Sequence, residues 1–188
     1  GGSSSGAAVS VADGMAYMGL GTDTGGSCRV PAAFNGITGY KSSTGRVPRD
    51  GVFPLSDTLD TVGPLANSVQ CCSIIDAMMA GDRTGNVLAR DPATMRFGIL
   101  QHVAMDTMDP EVATAFDAAI KTLGKAGVVF SEVAFPDLTE LPALNAKGGI
   151  SAAEAMNVHA EMLERHGDEY HQMVRTRILS DVAAITVV

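Results

Sequence analysis

The first third of the chain consists of short apolar runs separated by glycines. More than half of the 21 glycines lie within residues 1–51, and alanine, valine and methionine fill the intervals between them. Because glycine permits tight turns and the apolar residues favour burial, we predict short buried elements rather than a flexible linker. These elements are a helix over 7–12, a strand over 15–21, a turn at TDTGGS and a helix over 27–34.

The next part of the chain alternates between helical and strand periodicity. Apolar residues recur at helical spacing over 64–80, and a second helix begins at Pro110 with Asp109 as its N-cap. Strands are predicted on either side of this second helix, over 96–101 and 128–135. A strand–helix–strand order of this kind indicates an α/β fold with parallel pairing.

A further helix is predicted near the end of the chain. The S-x-x-E pattern formed by Ser151 and Glu154 predicts a capping box, and the helix should reach His166. The histidines of this region, His159, His166 and His171, do not have the spacing of metal ligands. We therefore expect them on a hydrated helix face and expect no bound metal.

The composition excludes several classes of protein. With 188 residues, 46% of them hydrophobic, the chain is too apolar for a disordered tail and fits about one globular domain. No run of about 18 apolar residues occurs, so we expect no membrane segment. A formal net charge of −8 without a basic patch opposes direct binding of nucleic acid. Two of the three cysteines, Cys71 and Cys72, are adjacent, a poor arrangement for a disulfide, which favours a reducing cytoplasmic location.

Two glycine-rich loops contain serine. In the loop over 21–34 (GTDTGGSCRVPAAF), the backbone N–H groups of 24–27 can converge into an anion-binding nest beside a hydroxyl. Acyl transfer requires this arrangement, although a tight turn without chemistry explains the same residues. The loop over 1–6 (GGSSSG) has the composition of a linker and also matches G-x-S-x-G, the nucleophile elbow of α/β-hydrolases, centred on Ser4. Neither a P-loop nor a dinucleotide-binding glycine motif occurs, and no cofactor is expected.

Taken together, the two loops resemble the amidase signature family. The resemblance covers GGSSSGAAVSVADG, GLGTDTGGSCRVPAAFNGITGYKSSTGRVP and GVFPLSDTLDTVGPLANSV, which span most of residues 1–69. It implies an α/β fold in which helices flank a central, mixed, twisted sheet. We expect one incomplete domain over 1–188, with the catalytic signature at 1–64 and a helix–strand–helix–strand continuation at 65–188.

The same resemblance implies a catalytic mechanism. In this family a serine attacks an amide carbonyl, a second serine with a cis peptide bond relays the proton, and an unprotonated lysine is the final base. By motif position, Ser27 corresponds to the nucleophile and Ser3 to the relay serine. The N–H groups of Thr24, Gly25 and Gly26, with that of the nucleophile, correspond to the oxyanion pocket.

Three further residues are expected to support these serines. Ser4 can form a hydrogen bond within its loop, and Asp23 and Arg29 are expected to pair and hold the nucleophile loop. Lys41 matches a different position of the family pattern, so it is not assigned as the base. The family's catalytic lysine lies upstream of the relay serine, and this chain begins at Gly1 rather than at Met and ends in an apolar run, DVAAITVV. We therefore expect a piece of a longer protein.

The function implied by the resemblance is hydrolysis of a carboxamide to a carboxylic acid and ammonia through an acyl-serine intermediate. Two alternatives stay open: the amidase-like subunit of a glutamine-dependent tRNA amidotransferase, and a catalytically incomplete module that retains the loops. An α/β-hydrolase that uses Ser4 is a further alternative. The expected partners are a small-molecule amide and either a second copy of the chain or another subunit of an amidotransferase.

Overall fold

The computed structural model describes residues 1–82, 89–101, 105–146 and 148–179. The chain divides into two compact units, one formed by Gly1–Val87 with Lys147–Val188 and the other by Leu88–Ala146. Helices and strands occur in both parts of the chain, which confirms the α/β class. Within the described ranges, no helix is long and apolar enough to cross a membrane. The apolar segment DVAAITVV lies outside the described residues.

The first unit contains a three-stranded antiparallel sheet. Its strands are β1 (Met18–Asp23), β2 (Thr38–Gly39) and β3 (Thr61–Ala66), in the spatial order β1–β3–β2. Exposed and buried residues alternate along β1, the period-two pattern of a strand with one covered face. All six residues of β3 are buried, as expected for a central strand that is covered on both faces.

Two short helices, α1 (Ser5–Ala12) and α2 (Arg29–Phe34), follow the two serine loops. They confirm the helices predicted over 7–12 and 27–34. The core beneath them consists of Ala8, Cys28, Ala32 and Leu65, none more than 1% exposed. Because three of these side chains are small, α1 and α2 lie close to the sheet and to each other. This packing brings the starts of both helices together.

Gly63 on β3 shows how closely the backbone is packed here. A Cβ at this position would overlap the carbonyl oxygen of Tyr40, and backbone atoms cannot rotate away as side chains do. We expect Gly63→Ala to lower the free energy of unfolding by about 1–3 kcal/mol, measured by chemical denaturation. Gly6→Ala is the matched control, because Gly6 lies on α1 with open space around its Cβ. An equal loss in both variants would contradict the packing argument.

The third helix begins later than its pattern predicted. α3 spans Val69–Met79, and the hydroxyl of its N-cap, Ser68, accepts the N–H of Cys71 at 3.1 Å. The prediction of a helix over 64–80 is wrong for 64–66, which complete β3. A fully buried strand shows no apolar–polar alternation, so periodicity did not separate it from the helix that follows.

The second unit has a parallel pair of strands with a helix between them. Its helices and strands are β4 (Arg96–Leu100), α4 (Pro110–Lys125), β5 (Val129–Val133) and α5 (Leu141–Leu144). β4 and β5 pair in parallel, which confirms the predicted strand–helix–strand segment. Phe97 lies opposite Phe130 in the register, and their rings stack with 6.1 Å between centroids. Among the described residues, parallel and antiparallel pairs therefore occur in separate sheets.

Two helices of the first unit follow, α6 (Gly149–His166) and α7 (Gln172–Leu179). α6 ends where the sequence predicted, but the predicted capping box is wrong. Ser151 lies inside the helix and donates to the carbonyl of Gly148 at 3.3 Å, and Gly148 is the N-cap. The carboxylate of Glu154 contacts a distant loop instead of the helix N-terminus, because hydroxyl donors of that loop compete with the N–H groups of the helix for it.

The expectation of a hydrated histidine face is wrong for His159. Its side chain is 8% exposed, and Nδ1 lies 2.8 Å from the Tyr170 hydroxyl. Its ring meets the ring of Phe53 edge-on, with 5.3 Å between centroids. Burial lowers the pKa of His159 and so favours the neutral ring. His166 does conform to the expectation, since it is exposed and lies 2.9 Å from Glu169 Oε1.

Candidate active site

The two serine loops meet in the first unit through their backbones. The N–H of Ser4 donates to the carbonyl of Ser27 at 3.1 Å, which holds the 1–6 loop against the start of the second loop. The peptide bond between Gly2 and Ser3 is cis. The structure therefore brings the segments of Ser3, Ser4 and Ser27 together, although within the described residues no hydrogen bond joins the hydroxyls of Ser3 and Ser27.

An open cavity of about 380 Å³ lies beside the first serine loop. Ser3 and Ser4 line it together with apolar residues such as Leu20 and Val52, and Ser27 is not among the described residues that line it. The hydroxyl of Ser4 also donates to the carbonyl of Thr22 at 3.4 Å, so it is tied to the end of β1. A cavity with a mostly apolar wall and a few placed polar groups has the character of a small-molecule site.

A buried carboxylate, Asp23, organises the loop that carries Ser27. Its Oδ1 accepts the N–H of Gly26 at 2.7 Å, and its Oδ2 accepts the N–H of Cys28 at 3.2 Å. The Arg29 guanidinium donates to both oxygens at 3.0 Å, so the two side chains form the expected pair. Burial alone would raise the pKa of Asp23, but the hydrogen bonds from Arg29 and these N–H groups outweigh it and hold the pKa well below its usual range.

Lys41 provides a second cation beside Asp23. Its Nζ donates to the carbonyl of Asp23, to the carbonyl of Leu59 at 2.8 Å and to the hydroxyl of Thr61 at 3.2 Å. These bonds join the end of β1 to the start of β3 and stabilise the strand ends from which the nucleophile loop departs. Sequence reasoning missed this role, because it depends on the pairing of two strands that are distant along the chain.

The backbone N–H groups of residues 24–27 differ in their hydrogen bonding. The N–H of Gly26 is directed at Asp23, so the structure contradicts its assignment as a free oxyanion donor. The N–H groups of Thr24, Gly25 and Ser27 donate to no protein acceptor in the part of the chain that the structure describes. Gly26 has a φ of +129°, which glycine tolerates and which turns the chain at this point. Three unpaired N–H groups in one tight turn can bind an anionic oxygen.

A second buried carboxylate, Asp60, holds the same turn from another side. Its Oδ1 accepts the hydroxyl of Thr24, and its Oδ2 accepts the N–H groups of Leu55 and Ser56 at 2.7 and 2.9 Å. Burial alone would raise the pKa of Asp60, but these hydrogen bonds outweigh it and the pKa lies below its ordinary value. Asp60 therefore keeps its negative charge near neutral pH and connects Thr24 to a neighbouring loop.

Cys28, the residue after Ser27, is a packed thiol rather than a competing nucleophile. It is fully buried, and burial together with the negative charge of Asp23 raises the pKa of the thiol to about 11. The thiolate is the reactive form of cysteine, and this environment disfavours it. Among the residues that the structure describes, no group of three or more His, Cys, Asp or Glu side chains could hold a metal ion.

Solved amidase structures share this architecture. A solved structure titled "Crystal structure of amidase" matches with a TM-score of 0.84 and 33% sequence identity, over 97% of this chain and 41% of that chain. The scaffold with its two serine loops is thus of the amidase type. The model of the Amidase family matches residues 1–185. The chain belongs to the amidase family.

Relatives of similar sequence have several activities. Indoleacetamide hydrolase of Agrobacterium vitis is 36% identical over 182 residues, which are 97% of this chain and 37% of that protein. 2-Amino-5-chloromuconic acid deaminase of Comamonas testosteroni is 37% identical over 88% of this chain and 36% of that protein. One subunit of the glutamyl-tRNA(Gln) amidotransferase of Carboxydothermus hydrogenoformans is 40% identical over 72% of this chain and 31% of that protein. The chain spans between 31% and 41% of the length of these proteins and of the matching amidase structure.

Proposed function

We propose that the protein carrying this chain is an amide hydrolase that converts a carboxamide to a carboxylic acid and ammonia. The observation that carries the proposal is the hydrogen bond from Ser4 N–H to the carbonyl of Ser27, because it holds the Ser27 segment against the serine loop that lines an open cavity with Ser3 and Ser4. Membership of the amidase family and the relative named indoleacetamide hydrolase support it.

In the proposed reaction the hydroxyl oxygen of Ser27 attacks the carbonyl carbon of the substrate. Its proton passes to Ser3, and the proton of Ser3 passes to a base, which by the family resemblance is a lysine upstream of Ser3. The N–H groups of Thr24, Gly25 and Ser27 stabilise the negative charge on the carbonyl oxygen. The intermediate collapses as the nitrogen gains the proton that the base received, which breaks the C–N bond, expels ammonia and leaves an ester on Ser27. Water then hydrolyses this ester to the carboxylic acid.

The other site residues have positioning roles in this proposal. Asp23 and Arg29 hold the turn around the nucleophile, and Gly26 provides the φ that the turn requires. Ser4 joins the two loops through its backbone N–H. Three free cysteines, Cys28, Cys71 and Cys72, favour a reducing cytoplasmic location for the protein.

A small organic carboxamide is the substrate class that the comparisons support best. The match to indoleacetamide hydrolase covers 97% of this chain, whereas the match to the amidotransferase protein covers 72%. The second candidate, a glutamine-hydrolysing component of an amidotransferase, is supported by the higher identity of that shorter match, 40%. Ammonia release by the isolated protein would favour the first candidate, and release from glutamine that requires partner subunits would favour the second.

Labelling with a fluorophosphonate probe tests the proposal before any substrate is known. We expect the probe to modify Ser27 in the protein that carries this chain, identified by peptide mapping. Ser3→Ala should slow the labelling by about 10²–10³-fold, because the nucleophile loses its proton relay. The matched control is Ser43→Ala, since Ser43 is an exposed serine outside the site. Absence of labelling at Ser27 in the folded wild-type protein would instead support the catalytically incomplete module, and labelling at Ser4 would support the α/β-hydrolase alternative.

A further inference from the structure

We propose that Glu154 on α6 is a positioning residue for the candidate active site, although it lies 98 residues from Ser56, its partner. The inference rests on the proposed function and adds a residue that the amidase resemblance does not assign. Residues 55–60 form a loop, called here the 55–60 loop. The inference rests on one continuous series of hydrogen bonds that runs from α6 through this loop to Thr24.

The first part of this series joins α6 to the 55–60 loop. Glu154 Oε2 accepts the hydroxyl of Ser56 and the N–H of Thr58 at 3.2 Å, and Oε1 accepts the hydroxyl of Thr58 at 2.8 Å. The hydrogen bond from Ser56, followed by those from Thr58, lowers the pKa of Glu154 despite some loss of solvation, so the carboxylate is ionised at neutral pH. Hydrogen bonds to an ionised acceptor are stronger than neutral ones.

The second part joins the 55–60 loop to the nucleophile loop. Ser56 is fully buried, and it is bound on both sides: its hydroxyl donates to Glu154, and its N–H donates to Asp60 at 2.9 Å. The other oxygen of Asp60 accepts the hydroxyl of Thr24. Glu154 and Thr24 are therefore connected through two buried residues.

The consequence for catalysis follows from where Thr24 lies. Its backbone N–H is one of the three free donors proposed for the oxyanion, and such donors act only when their distance to the developing charge is held closely. If Glu154 loses its carboxylate, the buried hydroxyl of Ser56 loses its acceptor and the 55–60 loop can shift. A shift of Asp60 moves Thr24 with it. The binding of substrate in the ground state depends less on this donor, so the effect should fall on kcat.

The test is Glu154→Ala in the protein that carries this chain, with kcat expressed per active site titrated by the fluorophosphonate probe. We expect kcat to fall by about tenfold with KM changed less than about twofold, whereas loss of one oxyanion donor outright costs about 10²–10³-fold. Glu154→Gln keeps an oxygen acceptor for one hydroxyl and should recover most of the rate. Glu164→Ala is the matched control, because Glu164 is an exposed residue of the same helix, and it should leave kcat unchanged.

The number of active sites titrated by the probe distinguishes a positioning role of Glu154 from an effect on protein stability. A merely structural role would lower the number of titrated sites or the melting temperature while each remaining site kept the wild-type kcat, and that result would overturn the inference. Should Glu154→Ala fail to fold, Ser56→Ala cuts the same series of hydrogen bonds and should lower kcat per titrated site in the same way. A wild-type kcat in Ser56→Ala would overturn the inference as well. A wild-type protein that neither hydrolyses amides nor reacts at Ser27 would overturn the proposed function itself.

Discussion

Ser27→Ala is expected to lower amide hydrolysis by about 10⁴-fold or more, because the acyl-enzyme intermediate cannot form without the hydroxyl. The structure indicates that this substitution removes the nucleophile without disturbing the turn that carries it. Ser27 lies in a turn held by Asp23 from inside and by Asp60 through Thr24, and none of these bonds uses the Ser27 hydroxyl. The fold should therefore survive the substitution. Steady-state release of ammonia measures the loss of activity, and the melting temperature shows whether the fold is retained.

The control for this variant is another serine close to the same loops. Ser10→Ala removes a hydroxyl that donates to the carbonyl of Ala7 at 2.9 Å within α1, away from the nucleophile turn. We expect it to retain most of the wild-type rate. Turnover of Ser27→Ala within about tenfold of the wild type would show that Ser27 is not the nucleophile, since residual catalysis from binding and oxyanion donors alone is far weaker than the complete reaction.

Asp23→Asn is expected to lower the free energy of unfolding by about 1–3 kcal/mol at neutral pH, the scale of leaving buried hydrogen-bond donors without an acceptor, because the Arg29 side chain is half exposed and keeps contact with water. Asp23 is fully buried and accepts hydrogen bonds from Arg29 and from backbone N–H groups, and Lys41 Nζ lies 3.7 Å from its Oδ1. An amide has one acceptor oxygen and no charge, so it cannot satisfy all of these donors. Because the turn around Ser27 depends on them, hydrolysis should also fall.

The pH dependence of stability provides a second measurement for Asp23. Its pKa is lowered in the folded protein, so the carboxylate stabilises the fold fully above its ordinary value, about 4 in the unfolded chain. This contribution is lost as the pH falls toward the folded pKa. Urea unfolding should therefore show the largest difference between the wild type and Asp23→Asn at pH 7 and a smaller one near pH 3. Asp13→Asn, an exposed aspartate after α1, should show little difference at either pH, and the same difference for both variants would refute the argument.

Sequence patterns predicted the helices and strands whose conformation depends mainly on residues close along the chain. The strand–helix–strand segment could be predicted because α4 shows helical spacing and an N-terminal proline, and the strands beside it show strand periodicity. The pairing of Asp23 with Arg29 could also be predicted, because both residues lie in one short loop. The position of β3 could not, since a strand buried on both faces has no alternation to detect.

Two of the errors concern side chains whose partners are distant along the chain, and the third concerns a backbone N–H. Glu154 has the spacing of a capping residue, but two hydroxyls of the 55–60 loop compete for it successfully. His159 has the position of a helix-surface residue, but Phe53 and Tyr170 cover it. Gly26 was expected to offer its N–H to a substrate, and Asp23 takes that N–H instead. For Glu154 and His159 a tertiary contact decides the outcome, and no local pattern encodes it. The contact of Gly26 with Asp23 spans only three residues, so it is a local side-chain to backbone hydrogen bond that the sequence analysis overlooked.

The division of the first unit into two stretches of chain determines when the protein can complete this unit during its synthesis. A ribosome makes both serine loops before α6, and the glutamate that holds the 55–60 loop emerges only 98 residues after Ser56. The nascent chain therefore carries the nucleophile turn before its outer support exists. The nucleophile turn therefore reaches its supported geometry only after α6 has left the exit tunnel. A chain interrupted within Leu88–Ala146 would contain a serine loop that lacks this support.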